Sequence, residues 1–304
     1  MKKDRAFGII VFAVIIFVIV FAIFKGKSQY ATPTARSVKT GNSISLIKLE
    51  GVIGADSLNG QGISADDVKE LLNEAKSDPS RALIISIDSP GGAVEPTQEI
   101  FNAIQRFKKE TGKKVYISMR SEAASGGYYI ACAGDRIIAM PTTLTGSIGV
   151  IMELINYQGL LNKIGLKETV IKSGKYKDIG SPVREMTQKE KMMLQSIIDE
   201  TYNQFLDTVS KSRHIPIDKL RSVAQGQVYT GIQAKKLGLV DDLGDLQDTI
   251  NIVKKELNIK GTPQIITHKK GRSIFSLLGT KNNIPELDIL KNLKPLKIEY
   301  IMVP

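Results

Sequence analysis

Strand-length apolar runs alternate with helical patterns along most of this chain, and that order leaves few folds open to it. Residues 43–50 (SISLIKLE) and 81–88 (RALIISID) are Ile-rich and almost uninterrupted, and between them Val68, Leu71, Leu72 and Ala75 recur at helical spacing. A second helical pattern carries Ile100, Ala103, Ile104 and Phe107. A strand at 114–119, a short helix at 128–133 and a strand at 136–140 follow it. Continuous apolar strands are those buried on both faces, and strand–helix–strand units close by right-handed crossovers, so the expected fold is α/β with a largely parallel sheet. Farther on, 157–164 reads as helix, 169–172 as extended and 187–213 as one long helix. That helix opens on Thr187 and Glu190, the spacing of a capping box, and repeats apolar residues at Met193, Ile197, Tyr202, Phe205 and Val209. Shorter helices are expected at 217–224, 232–237 and 246–257.

The ends differ in character from this middle. Residues 6–24 are apolar without a charged interruption, roughly the length that crosses a ~30 Å hydrocarbon layer. A cleavable signal peptide has a shorter apolar stretch and an Ala-x-Ala-like site, which is missing after Phe24. Residues 1–25 therefore read as a short N-terminal tail and one membrane anchor. Lys2, Lys3 and Arg5 favour a cytoplasmic N-terminus, although Lys25 and Lys27 flank the other end. Residues 26–42 are polar and read as a linker, 43–262 as the folded domain and 263–304 as a basic tail. From Lys254 onward, ten Lys and Arg stand against four Asp and Glu, so 10 − 4 = +6 of the chain's net +11 lies there. Such a tail beside a membrane span fits either contact with anionic lipid or a solvated end. A nucleic-acid partner is not expected, because interleaved aromatics and known binding motifs are missing.

Several chemistries are excluded early. Cys132 stands alone, so no internal disulfide forms. His214 and His268 are the only histidines, which argues against any mechanism built on a histidine cluster. Gly174-Lys175 and Gly26-Lys27 lack the remainder of a phosphate-binding loop, and neither a dinucleotide fingerprint nor a paired-histidine zinc motif occurs. No metal or cofactor is expected.

Two strand ends instead suit a developing negative charge. Ser89-Pro90-Gly91-Gly92-Ala93 follows one strand, and Glu122-Ala-Ala-Ser125-Gly126-Gly127 follows the next, each leading into a helix. Glycine lets the backbone approach a ligand, and a helix N-terminus presents free N–H groups. Ser125 at such a terminus is either a capping residue or a nucleophile beside the Gly126 amide. A nucleophilic serine needs a base. Neither histidine lies in a supportive context, which leaves a lysine held neutral by burial, a loss of ~3 pKa units that costs about 4 kcal/mol. Lys172, Lys175 and Lys177 cluster in Ile171-Lys-Ser-Gly-Lys-Tyr-Lys-Asp178, and chemistry alone does not choose among them. Asp178, if close to Lys177, would favour the wrong, charged form.

At these residues the sequence resembles the signal peptide peptidase A family, peptidase family S49, Ser-Lys peptidases of the Clp protease/crotonase fold with repeated β-β-α/βαβ units. The resemblance is carried by Asp88-Ser-Pro-Gly-Gly92, Ala124-Ser-Gly-Gly-Tyr128, Thr145-Gly-Ser-Ile-Gly149, Ser173-Gly-Lys-Tyr-Lys-Asp178 and Ser181-Pro-Val-Arg-Glu-Met186, between about 43 and 257. It implies that Ser125 is the nucleophile, Lys177 the general base, Ser147 the residue that orients the lysine, and Gly92 and Gly126 the oxyanion-hole donors. It further implies hydrolysis through an acyl-enzyme without metal or cofactor, acting on signal peptides and other small apolar peptides left in the membrane. The short, single-domain form would be anchored in the cell membrane by its N-terminal helix, with the catalytic domain on the extracytoplasmic side, and would assemble as a ring-shaped homo-oligomer. One alternative is a crotonase-type acyl-CoA enzyme, with Glu122 and Asp178 as the nearest carboxylates. The other is a non-enzymatic membrane scaffold in which the glycine turns serve packing only.

Overall fold

In the computed structural model the described residues are 42–54, 62–270 and 299–301. The chain divides into two units, Met1–Lys39 and Thr40–Pro304. The anchor and nearly all of the linker read from the sequence lie outside the described residues, and every element named below belongs to the second unit. Among the described residues no helix is long and apolar enough to cross a membrane.

The strands are β1 (Ser43–Glu50), β2 (Val52–Ile53), β3 (Gly62–Ile63), β4 (Ala82–Ser89), β5 (Gly91–Ala93), β6 (Lys114–Ala124), β7 (Arg136–Ala139), β8 (Leu144–Gly146), β9 (Val228–Thr230), β10 (Asp242–Leu243), β11 (Gln264–His268) and β12 (Glu299–Ile301). Six run parallel in the order β10-β7-β6-β4-β1-β11, and β6 also pairs with β8, which pairs antiparallel with β9. A second sheet has the order β12-β5-β2-β3. The helices are α1 (Ala65–Ser77), α2 (Val94–Thr111), α3 (Gly126–Ala131), α4 (Gln158–Lys163), α5 (Gln188–Arg213), α6 (Ile217–Val223), α7 (Gly231–Lys236) and α8 (Leu246–Glu256).

Alternation of side chains along the central strands divides the core in two. Ile47, Leu83, Ile85, Val115 and Ile117 pack with Leu72, Ile104 and Phe107 of α1 and α2. Ile44, Leu46, Ile84 and Tyr116 project to the opposite face, where Val253 of α8 and Ile259 cover them. This is why β4 and the first five residues of β1 are buried on both faces, while Lys48 and Glu50 near the end of β1 are exposed. Each such side chain contributes ~1.5–3 kcal/mol when fully buried. The capping box at Thr187 and Glu190 forms as the sequence predicts.

The structure corrects the sequence reading in three places. Residues 169–172 join no strand. β6 continues to Ala124 rather than ending at 119, because the polar residues Arg120 and Glu122 find partners: Arg120 pairs with Glu50 and Asp88, and the Glu122 N–H donates to the Asp88 carboxylate. The boundary drawn at 262 from charge leaves out β11, which pairs in parallel with β1, and β12, which pairs antiparallel with β5.

A polar cluster secures β11. His268 is nearly buried, with Nδ1 3.1 Å from Glu74 and Nε2 2.9 Å from Asp78, while Lys113 donates to Asp78 at 3.0 Å and Ser45 donates to it as well. Burial by itself pushes the Asp78 carboxyl up, but hydrogen bonds from Ser45, Ser80 and Lys113 outweigh it and bring the pKa to about 2. A depressed carboxyl contributes stability that is whole above its ordinary value of 3.8 and is lost as the pH falls to about 2. Asp78→Asn should therefore cost ~2 kcal/mol at neutral pH in urea denaturation, and the deficit should vanish as the pH approaches that lower value.

Candidate active site

The pairing of β4 with β6 slips. Ile87 faces Met119 but Ser89 faces Ala123, so β6 takes up extra residues where it leaves β7 and turns to β8. After the slip, Ala124 faces Gly146, and the Ser125 N–H donates to the Gly146 carbonyl at 2.9 Å as the next rung. Ser125 and Ser147 thus stand one residue beyond the paired ends of adjacent strands. The Ser147 N–H donates in turn to the Gln227 carbonyl at 2.7 Å.

Both serines have left-handed backbones, Ser125 at φ 52 and Ser147 at φ 48. With ψ −115, Ser125 occupies a region that a residue bearing a Cβ enters only at a cost of ~1–3 kcal/mol. Its carbonyl accepts from the Tyr129 N–H at 2.9 Å, so the backbone begins α3. Its side chain makes no capping hydrogen bond, which sets aside the capping explanation. Ser125 Oγ is buried and has no hydrogen-bond partner among the described residues. A strained serine with an unengaged hydroxyl at a helix N-terminus is the arrangement of a nucleophile elbow.

The glycine turn lies alongside. The Gly91 N–H donates to Ser89 Oγ at 3.1 Å. A Cβ at Gly92, which has φ 157, would lie 2.1 Å from the Ile53 carbonyl oxygen, so no side chain fits. A Cβ at Gly127 would lie 2.9 Å from the Ser89 carbonyl oxygen, which shows how closely the start of α3 approaches this turn. Gly92, Gly126 and Ser125 are therefore carried by touching elements. β12 runs antiparallel along the same edge, with Tyr300 opposite Gly92. Beside Ser147 a cavity of about 400 Å³ is lined by Ile148, Val150, Ile198, Tyr202 and Val228 among others.

Lys177 stands apart from this group. It is exposed, in a segment that α4 alone interrupts between 152 and 187, and its ammonium makes no ion pair or hydrogen bond among the described residues. The expected burial of the lysine is not met within one chain. Asp178, however, does not pair with Lys177: Lys172 and Arg184 take its carboxylate, and Arg184 also pairs with Glu190. That ion-pair group was not anticipated; its trace in the sequence is the spacing of Asp178, Arg184 and Glu190. Neither histidine hydrogen-bonds the Ser125 hydroxyl. His214 caps α5 with φ 53, and His268 is engaged by Glu74 and Asp78. Of the carboxylates considered for thioester chemistry, Asp178 is committed to its cations, and the Glu122 carboxyl is raised by burial and then by the Asp88 charge.

The model of peptidase family S49 matches residues 107–260, and that of Clp protease matches residues 37–145. A provisionally named signal peptide peptidase SppA of Enterococcus faecium is 31% identical over 275 residues, covering 88% of this chain and 79% of that protein. A provisionally named protease of Methanocaldococcus jannaschii is 35% identical over 246 residues, covering 78% of each chain. The chloroplastic serine protease SPPA of Arabidopsis thaliana is 38% identical over 254 residues, which cover 83% of this chain and 36% of that longer protein.

If Ser125 is strained as its backbone angles indicate, Ser125→Gly should be more stable than Ser125→Ala by ~1 kcal/mol or more, measured by chemical denaturation. Equal stability would mean that the angle carries no strain.

Proposed function

The chain belongs to peptidase family S49 and is a serine peptidase, and from that premise we propose that it degrades remnant signal peptides at the membrane through a Ser-Lys dyad. The observation that carries this reading is Ser125: buried, strained and with an unengaged hydroxyl, beside the Gly91–Ala93 edge. Ser125 Oγ attacks the scissile carbonyl, and Lys177 accepts its proton and returns it to the leaving amine. Amides of Gly92 and Gly126 stabilise the oxyanion, and Ser147 orients the lysine. The acyl-enzyme is then hydrolysed by water activated by the same lysine.

The β12 pairing supports a peptide substrate, since an extended segment already lies antiparallel on Gly91–Ala93 and a substrate strand would make the same backbone hydrogen bonds. The cavity beside Ser147 mixes apolar side chains such as Ile148, Val150 and Ile198 with the polar groups of Gln195, Asp199 and Gln225, and the apolar part offers contact to aliphatic side chains. The signal peptide peptidase name of the Enterococcus relative and the apolar residues 6–24 support work at a membrane, and the proposed orientation puts the peptidase domain outside the cytoplasm.

A single chain leaves Lys177 exposed, and a nearby stretch is unusually apolar for a surface. Ile155 is 71% exposed and Ile171 96%, with Leu160, Ile164 and Leu166 also exposed. Large exposed apolar patches mark interaction surfaces. In the proposed assembly, a homo-oligomeric ring, a neighbouring subunit covers this stretch and excludes water from the lysine, favouring its neutral form.

The test is cleavage of a synthetic signal peptide. Ser125→Ala and Lys177→Ala should each lose ~10³-fold or more in kcat/KM, and Lys177→Arg should not recover it, because a guanidinium keeps its proton. The wild-type rate should rise toward alkaline pH as the lysine deprotonates. An acid optimum, or robust cleavage by the arginine variant, would refute the lysine base. Cleavage of a crotonyl thioester surviving in Ser125→Ala would instead favour acyl-CoA chemistry.

A further inference from the structure

Of the motifs along this chain, Ser181-Pro-Val-Arg-Glu-Met186 has no part in the reaction steps above. Asp178 directly follows the proposed base. A carboxylate free to pair with Lys177 would hold it charged, the state that accepts no proton. That carboxylate is engaged elsewhere. Arg184 donates from Nε to Asp178 Oδ2 at 2.9 Å and from Nη2 to Oδ1 at 2.9 Å, a two-pronged fork, and Nη2 also reaches the Asp178 carbonyl at 3.0 Å. Lys172 donates to Oδ1 as well. On its other side, Arg184 donates to Glu190 Oε1 at 2.6 Å and Oε2 at 3.0 Å. Glu190 is itself buried in the capping box of α5.

The charged and titratable groups on the Lys177 loop and the elements the clasp joins to it are Lys172, Lys175, Tyr176 and Asp178, then Arg184 and Glu185, and Lys189 and Glu190 on α5. Lys175 and Lys189 lie over the Tyr176 ring, 5.7 and 5.8 Å from its centroid. Glu185 lends Arg184 its backbone carbonyl. Asp178 is therefore the carboxylate next to the lysine in the chain, and one guanidinium ties it to the first turn of a long helix.

We propose that Arg184 is a positioning residue for this peptidase: it draws Asp178 away from Lys177, so that the lysine stays free to lose its proton, and it fastens the lysine loop to α5. The inference rests on Lys177 being the base. Hydrogen bonds first from Arg184 and then from Lys172 hold the Asp178 carboxyl far below the usual carboxylate range. Arg184, with the Thr187 N–H, brings Glu190 to about 2. The clasp therefore stays ionised across the pH range in which a lysine base works.

The experiment is the pH profile of kcat/KM for signal-peptide cleavage by the full chain. Arg184→Ala should move the rising alkaline limb up by ~1 pH unit or more, because Asp178, then held by Lys172 alone, becomes able to pair with Lys177. The double variant Arg184→Ala/Asp178→Asn should bring the limb back toward the wild-type position, whatever its amplitude. A merely structural arginine would lower the amplitude and leave the limb in place, and that result overturns the proposal. Should Arg184→Ala fail to fold, Lys172→Ala removes one of the two cations and keeps the fork. It should shift the limb the same way by a smaller amount, and an unmoved limb overturns the proposal there too. Lys177→Ala, assayed alongside, separates the two assignments. An inactive Lys177→Ala with an unmoved Arg184→Ala limb removes the role of Arg184 alone, whereas an active Lys177→Ala removes the lysine base as well.

Discussion

The hydrogen bond from the Ser125 N–H to the Gly146 carbonyl, 2.9 Å long, closes the last rung of a parallel ladder, and the site is arranged around it. Because side chains and register are locked together in a sheet, that rung determines that Ser125 and Ser147 leave neighbouring strands side by side. The slip between β4 and β6 makes the rung possible, since without the extra residues β6 would remain beside β7. The slip in turn is held by charges, with Arg120 on Glu50 and Asp88 and the Glu122 amide on Asp88. Packing then does the rest: the absence of a Cβ at Gly92 and Gly127 lets β2, the glycine turn and α3 approach within contact distance.

The proposed nucleophile and the proposed base stand in different surroundings. Ser125 sits in a buried part of the described residues, between buried Ala124 and the fully buried Tyr128 and Tyr129. Lys177 is on an exposed segment that the Asp178–Arg184–Glu190 clasp fastens to α5. If Ser125 and Lys177 form one site, as proposed, assembly or substrate has to complete it, which is the role the proposed ring would play. The Ser125 strain belongs to the same logic, being small beside the burial that surrounds it.

Much of this fold was legible from the sequence because most residues of its core strands are buried on both faces, and Ile-rich runs such as 43–50 and 81–88 point to strands of a covered sheet. The capping box at Thr187 and Glu190 is a local interaction and was legible for that reason. What escaped was non-local. Arg120 and Glu122 look like the end of a strand until Asp88 and Glu50 are seen beside them. β11 and β12 sit within a segment whose lysines suggested a solvated tail, and their partners lie more than 200 residues away in the chain. In the site, the glycine turns and Ser125 stood out as strand ends leading into helices, whereas the resemblance alone pointed to Ser147. The choice among three lysines did not, and the resemblance to S49 peptidases, rather than composition or periodicity, singled out Lys177.

The central claim is that Ser125, and not Ser147, becomes covalently acylated with the help of Lys177. Labelling the full chain with an activated acylating probe at mildly alkaline pH, followed by peptide mapping of the adduct, tests it most directly. The account predicts one adduct, on Ser125, that disappears in Lys177→Ala while Ser147→Ala still accepts some label. An adduct on Ser147, or undiminished labelling of Ser125 without Lys177, would contradict it.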